Sequence, residues 1–152
     1  MQSGLHTVFG LGHDVVGISD FEHQLAEPGS RMRALFSVRE VRQAIGLAAR
    51  KNDGEAVHLA AKWAGKEAVL KAWCDALGDN PAPYTIDNFP WNGVEILDDS
   101  YGRPTVVLRD DVERELRASL PPSASPMSVP RWHISVSHDG GIASAIVMLR
   151  MA

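Results

Sequence analysis

The run Trp63-Ala64-Gly65-Lys66-Glu67-Ala68-Val69-Leu70-Lys71 lies within the longest uninterrupted helical pattern in the chain, from about Glu55 to Leu77, with no proline and one glycine inside it. Apolar residues recur at Leu59, Trp63, Leu70, Trp73 and Leu77 in steps of three, four and seven, as on the buried face of an amphipathic helix. Lys66 stands where an apolar residue would complete that seam. On an adjacent face Ala60, Ala64 and Cys74 surround Glu67 and Lys71, a carboxylate and an ammonium four residues apart. Two tryptophans on the buried side, with charges pressed against the seam, suit a helix that holds something polar.

Working outward, 152 residues predict one domain over 1–152, large enough to bury a core. The composition, 45% hydrophobic and 22% charged with a net charge of −4, lacks the strongly basic field of a nucleic-acid binder. No apolar run approaches the ~20 residues of a membrane span, so no membrane partner is expected. One cysteine excludes an intramolecular disulfide, and with no signal-like segment a cytoplasmic location is expected. Charge is uneven. Six basic residues and one acidic residue fall between Arg31 and Lys51, a local balance of +5 that leaves −9 to the rest of the chain. Such a patch can steer an acidic partner, and an ordinary solvated helix face accounts for the same residues.

Ahead of this helix, Thr7 to Ile18 reads as a strand with Gly10, Gly12 and Gly17 interspersed, and strand glycines mark bulges or close approach by another backbone or a ligand. Asp14 interrupts that apolar strand, a costly placement unless the carboxylate is paired, metal-bound or bonded to neighbouring amides. A short helix over Asp20–Leu25 ends at Pro28-Gly29. Ser37-Val38-Arg39-Glu40 has capping-box spacing and should open a basic helix to about Arg50. After the long helix stops at Gly78, Val94–Leu97 and Pro104–Leu108 predict a hairpin around Asp98–Arg103, followed by a helix over Asp110–Leu120. Pro121 to Pro130 reads as a proline- and serine-rich loop. Trp132 to Ser137 alternates so that Trp132, Ile134 and Val136 face a core. His138-Asp139-Gly140-Gly141 turns the chain into a nearly all-apolar strand, Ile142–Leu149.

Several familiar chemistries fail on spacing. Gly65-Lys66 is followed by Glu67 rather than Ser or Thr and lacks the earlier glycine of a phosphate loop. Ser137-His138-Asp139 are chain neighbours that cannot adopt a nucleophile–base–orienter geometry, and there is no G-x-S-x-G elbow. His13 and His138 stand alone and Cys74 has no companion, which excludes a zinc pattern. Asp14 and Glu67 remain as hard oxygen ligands of the kind that hold magnesium together with substrate phosphates, with Lys66 and Lys71 supplying positive charge. A plain Glu67–Lys71 surface pair and a snorkelling Lys62 or Lys66 fit the same spacing.

Two segments together narrow the choice. Gly12-His13-Asp14-Val15 and Trp63–Lys71 resemble the two signature motifs of the 4′-phosphopantetheinyl transferase superfamily, G-(apolar)-D-(apolar) and (F/W)-x-x-K-E-(A/S)-x-x-K. The Gly102-Arg103-Pro104 turn and the late Ser135-Val136-Ser137-His138 strand are similar to the small holo-[acyl-carrier-protein] synthase type, and the resemblance runs from Gly10 to Leu149. It implies an α+β fold, a small antiparallel sheet packed on one long helix, assembled as a homotrimer with active sites between subunits. It implies transfer of 4′-phosphopantetheine from coenzyme A to a serine of an apo acyl carrier protein, or of a carrier domain of a fatty acid synthase. A non-catalytic coenzyme A or carrier-binding module of the same fold is the alternative.

The residue roles implied by the resemblance are specific. Asp14 and Glu67 would bind Mg2+, and Glu67 and Lys71 would be catalytic. Lys62, Lys66, Lys71, Gly102, Arg103, Pro104 and His138 would contact coenzyme A. The acidic carrier gives the basic segment a purpose, with Arg31, Arg33, Arg39 and Arg42 expected at the docking surface. Three features depart from the pattern. His13 replaces an apolar residue and should point away from Asp14, Asp20 stands where many relatives have an Arg, and the Pro121–Pro130 loop is long.

Overall fold

The computed structural model describes residues 9–122 and 125–152, so Thr7 and Val8 of the expected first strand and Ser123 and Ala124 of the expected loop lie outside it. In chain order the elements are β1 (Phe9–Gly17), α1 (Ile18–Ala26), α2 (Val38–Lys51), α3 (Glu55–Ala76), β2 (Val94–Asp98), β3 (Pro104–Leu108), α4 (Asp110–Ser119), β4 (Pro130–Asp139) and β5 (Ile142–Met151), with 3-10 turns at Met32–Leu35 and Trp91–Gly93. The strands form an antiparallel sheet of order β1-β5-β4 and a separate β2-β3 hairpin. The fold is α+β, built on α3.

The capping box forms as its spacing predicts. Ser37 Oγ accepts from Glu40 N–H and the Glu40 side chain accepts from Ser37 N–H, fixing where α2 begins. Asn52, in the left-handed region at φ 55°, ends the helix and lets the chain turn into α3.

α3 is buried around most of its circumference rather than along one seam. One side joins Val69 and Trp73 to Val94, Ile96, Val112 and Leu116 of the hairpin and α4. Nearer its start, Leu59 and Ala60 join Phe21, Phe36 and Ala44. The column Ala60, Ala64, Ala68, Ala72 and Ala76 is buried, whereas Trp63 and Leu70 of the expected seam are half-buried. Small side chains matter there because β1 lies directly on them. A Cβ on Gly10 would stand 2.0 Å from the Ala72 carbonyl oxygen, and one on Gly12 would stand 1.9 Å from that of Ala68. The strand glycines therefore mark backbone-to-backbone approach. Two residues on, the same inward alternation points Asp14 at α3 and turns His13 outward, where Nε2 lies 3.1 Å from Ser144 Oγ.

Among the described residues the free edge of β2 has no neighbouring strand, and side chains complete it instead. Val94 C=O accepts from Lys66 Nζ, Ile96 N–H donates to Glu40 and Ile96 C=O accepts from Lys62 Nζ. Asp98 N–H and C=O are both met by the Gln43 amide. Lys62 and Lys66, four residues apart on α3, match carbonyls two residues apart on β2. Helix rise gives about 6 Å for the first spacing and strand rise about 6.8 Å for the second.

The face of the β1-β5-β4 sheet away from α3 is open, with an apolar patch on β1 and β5 beside a polar row on β4, Arg131, His133, Ser135, Ser137 and Asp139. Phe9, Leu11, Val15, Ile142, Ile146 and Met148 are all exposed on it, alternating with the buried Ala143, Ala145, Val147 and Leu149.

Candidate active site

Asp14 is 7% exposed, and its Oδ1 accepts from Lys71 Nζ at 3.0 Å. Lys71 Nζ also donates to the His13 carbonyl at 2.9 Å, which fixes the ammonium over the middle of β1. The other oxygen, Asp14 Oδ2, is buried with no hydrogen-bond partner among the described residues. Glu67 faces it. Burial and the adjoining Asp14 carboxylate push the Glu67 carboxyl up to about 7, against the pull of Lys71. Two carboxyls pressed together with one lone buried oxygen call for a proton or a cation between them. Among the described residues no cluster of three or more acidic, histidine or cysteine side chains forms an all-protein metal cage. Two carboxylates completed by substrate phosphates are how magnesium is commonly held, and the pair fits that ion.

A second site lies apart from the first. A cavity of about 430 Å³ opens between α2, α3, the hairpin tip and the end of β4, and Lys62, Gly102, Pro104 and His138 all line it. Burial pushes the Lys62 ammonium down, while Asp98, Glu40 and Glu95 pull it back. Arg50, Lys51 and His58 add basic groups to the wall, balanced in part by Asp98 and Asp99. Gly102, at φ 76°, lets the hairpin turn tightly there. Arg103 lies on the far side of the turn, paired with Asp99 and facing a groove between β3 and β4. The sequence reading missed Gln43, Arg50, Lys51 and His58. For His58 a signal existed, since His58, Lys62 and Lys66 repeat every four residues.

Lys66, expected beside coenzyme A, lies inside the protein in this structure. It is 0% exposed, and its ammonium is held by the carbonyls of Trp91 and Val94, each at 2.6 Å, and by Glu40 Oε1 at 2.7 Å. All its donors are used inside the protein, and the side chain points away from Asp14. At about 100° per residue, Lys62 and Lys66 sit within about 40° of each other on α3, while Lys71 is on the opposite side. Of the expected docking residues, Arg33 pairs with Glu55 and Arg39 with Glu95, whereas Arg31 and Arg42 are exposed and have no ion pair among the described residues.

A sequence model of the 4′-phosphopantetheinyl transferase superfamily matches residues 10–136, which includes Asp14 and the whole of α3. The chain belongs to that superfamily. Within it, the holo-[acyl-carrier-protein] synthase of Bifidobacterium animalis subsp. lactis is 54% identical over 147 residues, covering 95% of this chain and 99% of the relative. That of Bifidobacterium adolescentis is 52% identical over 152 residues, covering 95% and 100%. The ACPS-CoA complex of Chronobacterium ammoniagenes superposes with a TM-score of 0.79 at 33% identity, covering 95% of this chain and 98% of that one. The apo-ACPS structure from the same source gives 0.81 at 32% identity, covering 97% and 99%. Superfamily membership accounts for both signature segments, the one that puts Asp14 on β1 and the one that puts Glu67 and Lys71 on α3.

Proposed function

We propose that this transferase moves 4′-phosphopantetheine from coenzyme A to a serine hydroxyl of an apo acyl carrier protein or carrier domain, releasing adenosine 3′,5′-bisphosphate. The observation that carries the reading is the Asp14–Glu67 carboxyl pair with its lone buried oxygen and the adjacent Lys71. Asp14 and Glu67 would hold Mg2+, which when bound supplies charge neutralisation to the pyrophosphate.

The chain's own residues do the rest. Lys71, half-exposed at the mouth of the pair, carries positive charge toward the transferring phosphoryl group. Glu67, the carboxylate of the pair carried by α3, takes the serine proton as general base. The serine oxygen forms its bond to the β-phosphorus as the bond to the bridging oxygen breaks. The electron pair leaves on the bisphosphate. Lys62, Gly102, Pro104 and His138 line the cavity for the nucleotide end of coenzyme A, with Arg50 and Lys51 supplying charge for its phosphates and Arg103 bordering the turn.

In one subunit the carboxyl pair and this cavity occupy opposite sides of α3. The open apolar patch on β1 and β5 offers a surface on which copies can meet, so we read the chain as a single domain, 1–152, that acts as a homotrimer, each site completed by a neighbour. Placement in cytoplasmic fatty acid biosynthesis follows from the carrier substrate. Among the described residues no helix is long and apolar enough to cross a membrane.

The test is direct. Incubated with coenzyme A, Mg2+ and an apo carrier protein, the enzyme should add one phosphopantetheine to the carrier, seen by intact-mass spectrometry. Coenzyme binding with no mass gain on any carrier would overturn the transferase reading in favour of a binding module.

A further inference from the structure

The buried Lys66–Glu40 pair has no place in the chemistry just described, although Lys66 is the immediate chain neighbour of Glu67. Each member is 0% exposed. Glu40 accepts from Lys66 Nζ, from Ile96 N–H at 3.0 Å and from Ser37 N–H at 2.9 Å, and Lys66 gives its other bonds to Trp91 and Val94. Every charged atom is satisfied, and the partners belong to the start of α2, to the turn at Trp91 and to β2. An ion pair this deep is a poor source of stability, because desolvation offsets its attraction. Its best-attested use is to fix register.

Several constraints then define where α3 sits, and the glycine contacts and the buried pair act on opposite sides of it. The contacts of Gly10 and Gly12 with the Ala72 and Ala68 carbonyls set the distance between α3 and β1. Alone they do not set the roll of the helix about its own axis, because alanine and glycine present smooth surfaces; the polar ties on that face come from Lys71, 54% exposed, to the His13 carbonyl and Asp14, and from Asp75, which accepts from Leu11 N–H. On the far side, Lys66 ties one turn of α3 to two fixed carbonyls and a fixed carboxylate, and Lys62 repeats the tie one turn earlier at the Ile96 carbonyl. A carboxyl about 6 Å from a helix axis moves about 1 Å for a 10° roll, a displacement large enough to cost up to about 100-fold in rate.

We infer that Lys66 and Glu40 are positioning residues, a buried clamp that sets the roll of α3 and so holds Glu67 against Asp14, and that Lys66 does not contact coenzyme A. The inference rests on the reading of Asp14 and Glu67 as the metal-binding pair.

Glu40→Gln/Lys66→Met removes both charges together. It leaves an amide that can accept from Ile96 or Ser37 and donate to a vacated carbonyl, so the double variant should keep a melting temperature near that of the wild type. Lys66→Met alone strands a buried carboxylate and should be much less stable. In the double variant kcat should fall at least 10-fold, the KM for coenzyme A should change less than 2-fold, and Mn2+ binding followed by electron paramagnetic resonance should weaken at least 10-fold. A well-folded double variant with wild-type kcat and Mn2+ affinity would show the pair to be structural only and overturn the proposal. A KM for coenzyme A raised 10-fold or more with unchanged Mn2+ affinity would make Lys66 a phosphate ligand and overturn it equally. If wild-type protein modifies no carrier, the transferase reading fails. Mn2+ affinity lost in the double variant and kept in the wild type would still support the clamp.

Discussion

Glu67 shows how one side chain trades stability for chemistry. Its carboxyl is held at about 7 by burial and by Asp14, so in the metal-free protein the folded state disfavours its charged form. The stabilising contribution of the protonated group is fully present below the unfolded value near 4.5 and is lost as pH rises through about 7. Glu67→Gln keeps a neutral hydrogen-bonding group at every pH. In urea titrations without metal it should match the wild type at pH 5 and exceed it by about 1 kcal/mol at pH 8, the full linkage being discounted for partial exposure. Carrier modification should fall at least 100-fold in the same variant. Equal stability of the two proteins at pH 8 would mean that the carboxyls do not repel. Lys66 marks the limit of sequence reading at this scale. As a misfit in an apolar seam it was legible, but its partners are a carboxylate on another helix and two carbonyls, and carbonyls carry no residue identity.

At the scale of elements, what depends on near neighbours in the chain was readable. The bounds of α3, the capping box of α2 and both hairpins follow from spacings of two, three and four residues, and the structure keeps them. What the chain could not display was which face of α3 meets β1, since the alanine column looks unremarkable until the two strand glycines are laid against it. Gly12→Ala puts a methyl where a carbonyl oxygen stands and should cost about 3 kcal/mol, measured by denaturant unfolding. A loss under about 1 kcal/mol would mean that β1 can lift off the helix. The basic segment, in turn, proved divided. Arg33 and Arg39 spend charge on Glu55 and Glu95, leaving Arg31 and Arg42 free to meet an acidic carrier. Arg31→Glu/Arg42→Glu should raise the KM for carrier protein about 10-fold and leave that for coenzyme A unchanged, in steady-state assays varying each substrate. An equal rise in both would remove docking from these residues.

For the whole molecule, the sequence motifs pointed to the chemistry without showing that the carboxyl pair and the cavity lined by Lys62 and His138 fall on opposite sides of one helix. That separation is a property of the packed α3, and no spacing along the chain encodes it. Under the proposed homotrimer, the outer sheet face, with Phe9, Leu11, Val15, Ile142, Ile146 and Met148 uncovered, would be part of the functional design. Stability then becomes a matter of mass action. Where copies cover that face, the melting temperature should climb as the protein is concentrated, and specific activity should fall on dilution below the assembly constant, before any subunit unfolds. A melting temperature independent of concentration, with activity strictly proportional to protein down to the lowest dilution, would mean that one chain suffices. Dilution alone would thus act as an inhibitor, one that no substrate-site ligand resembles.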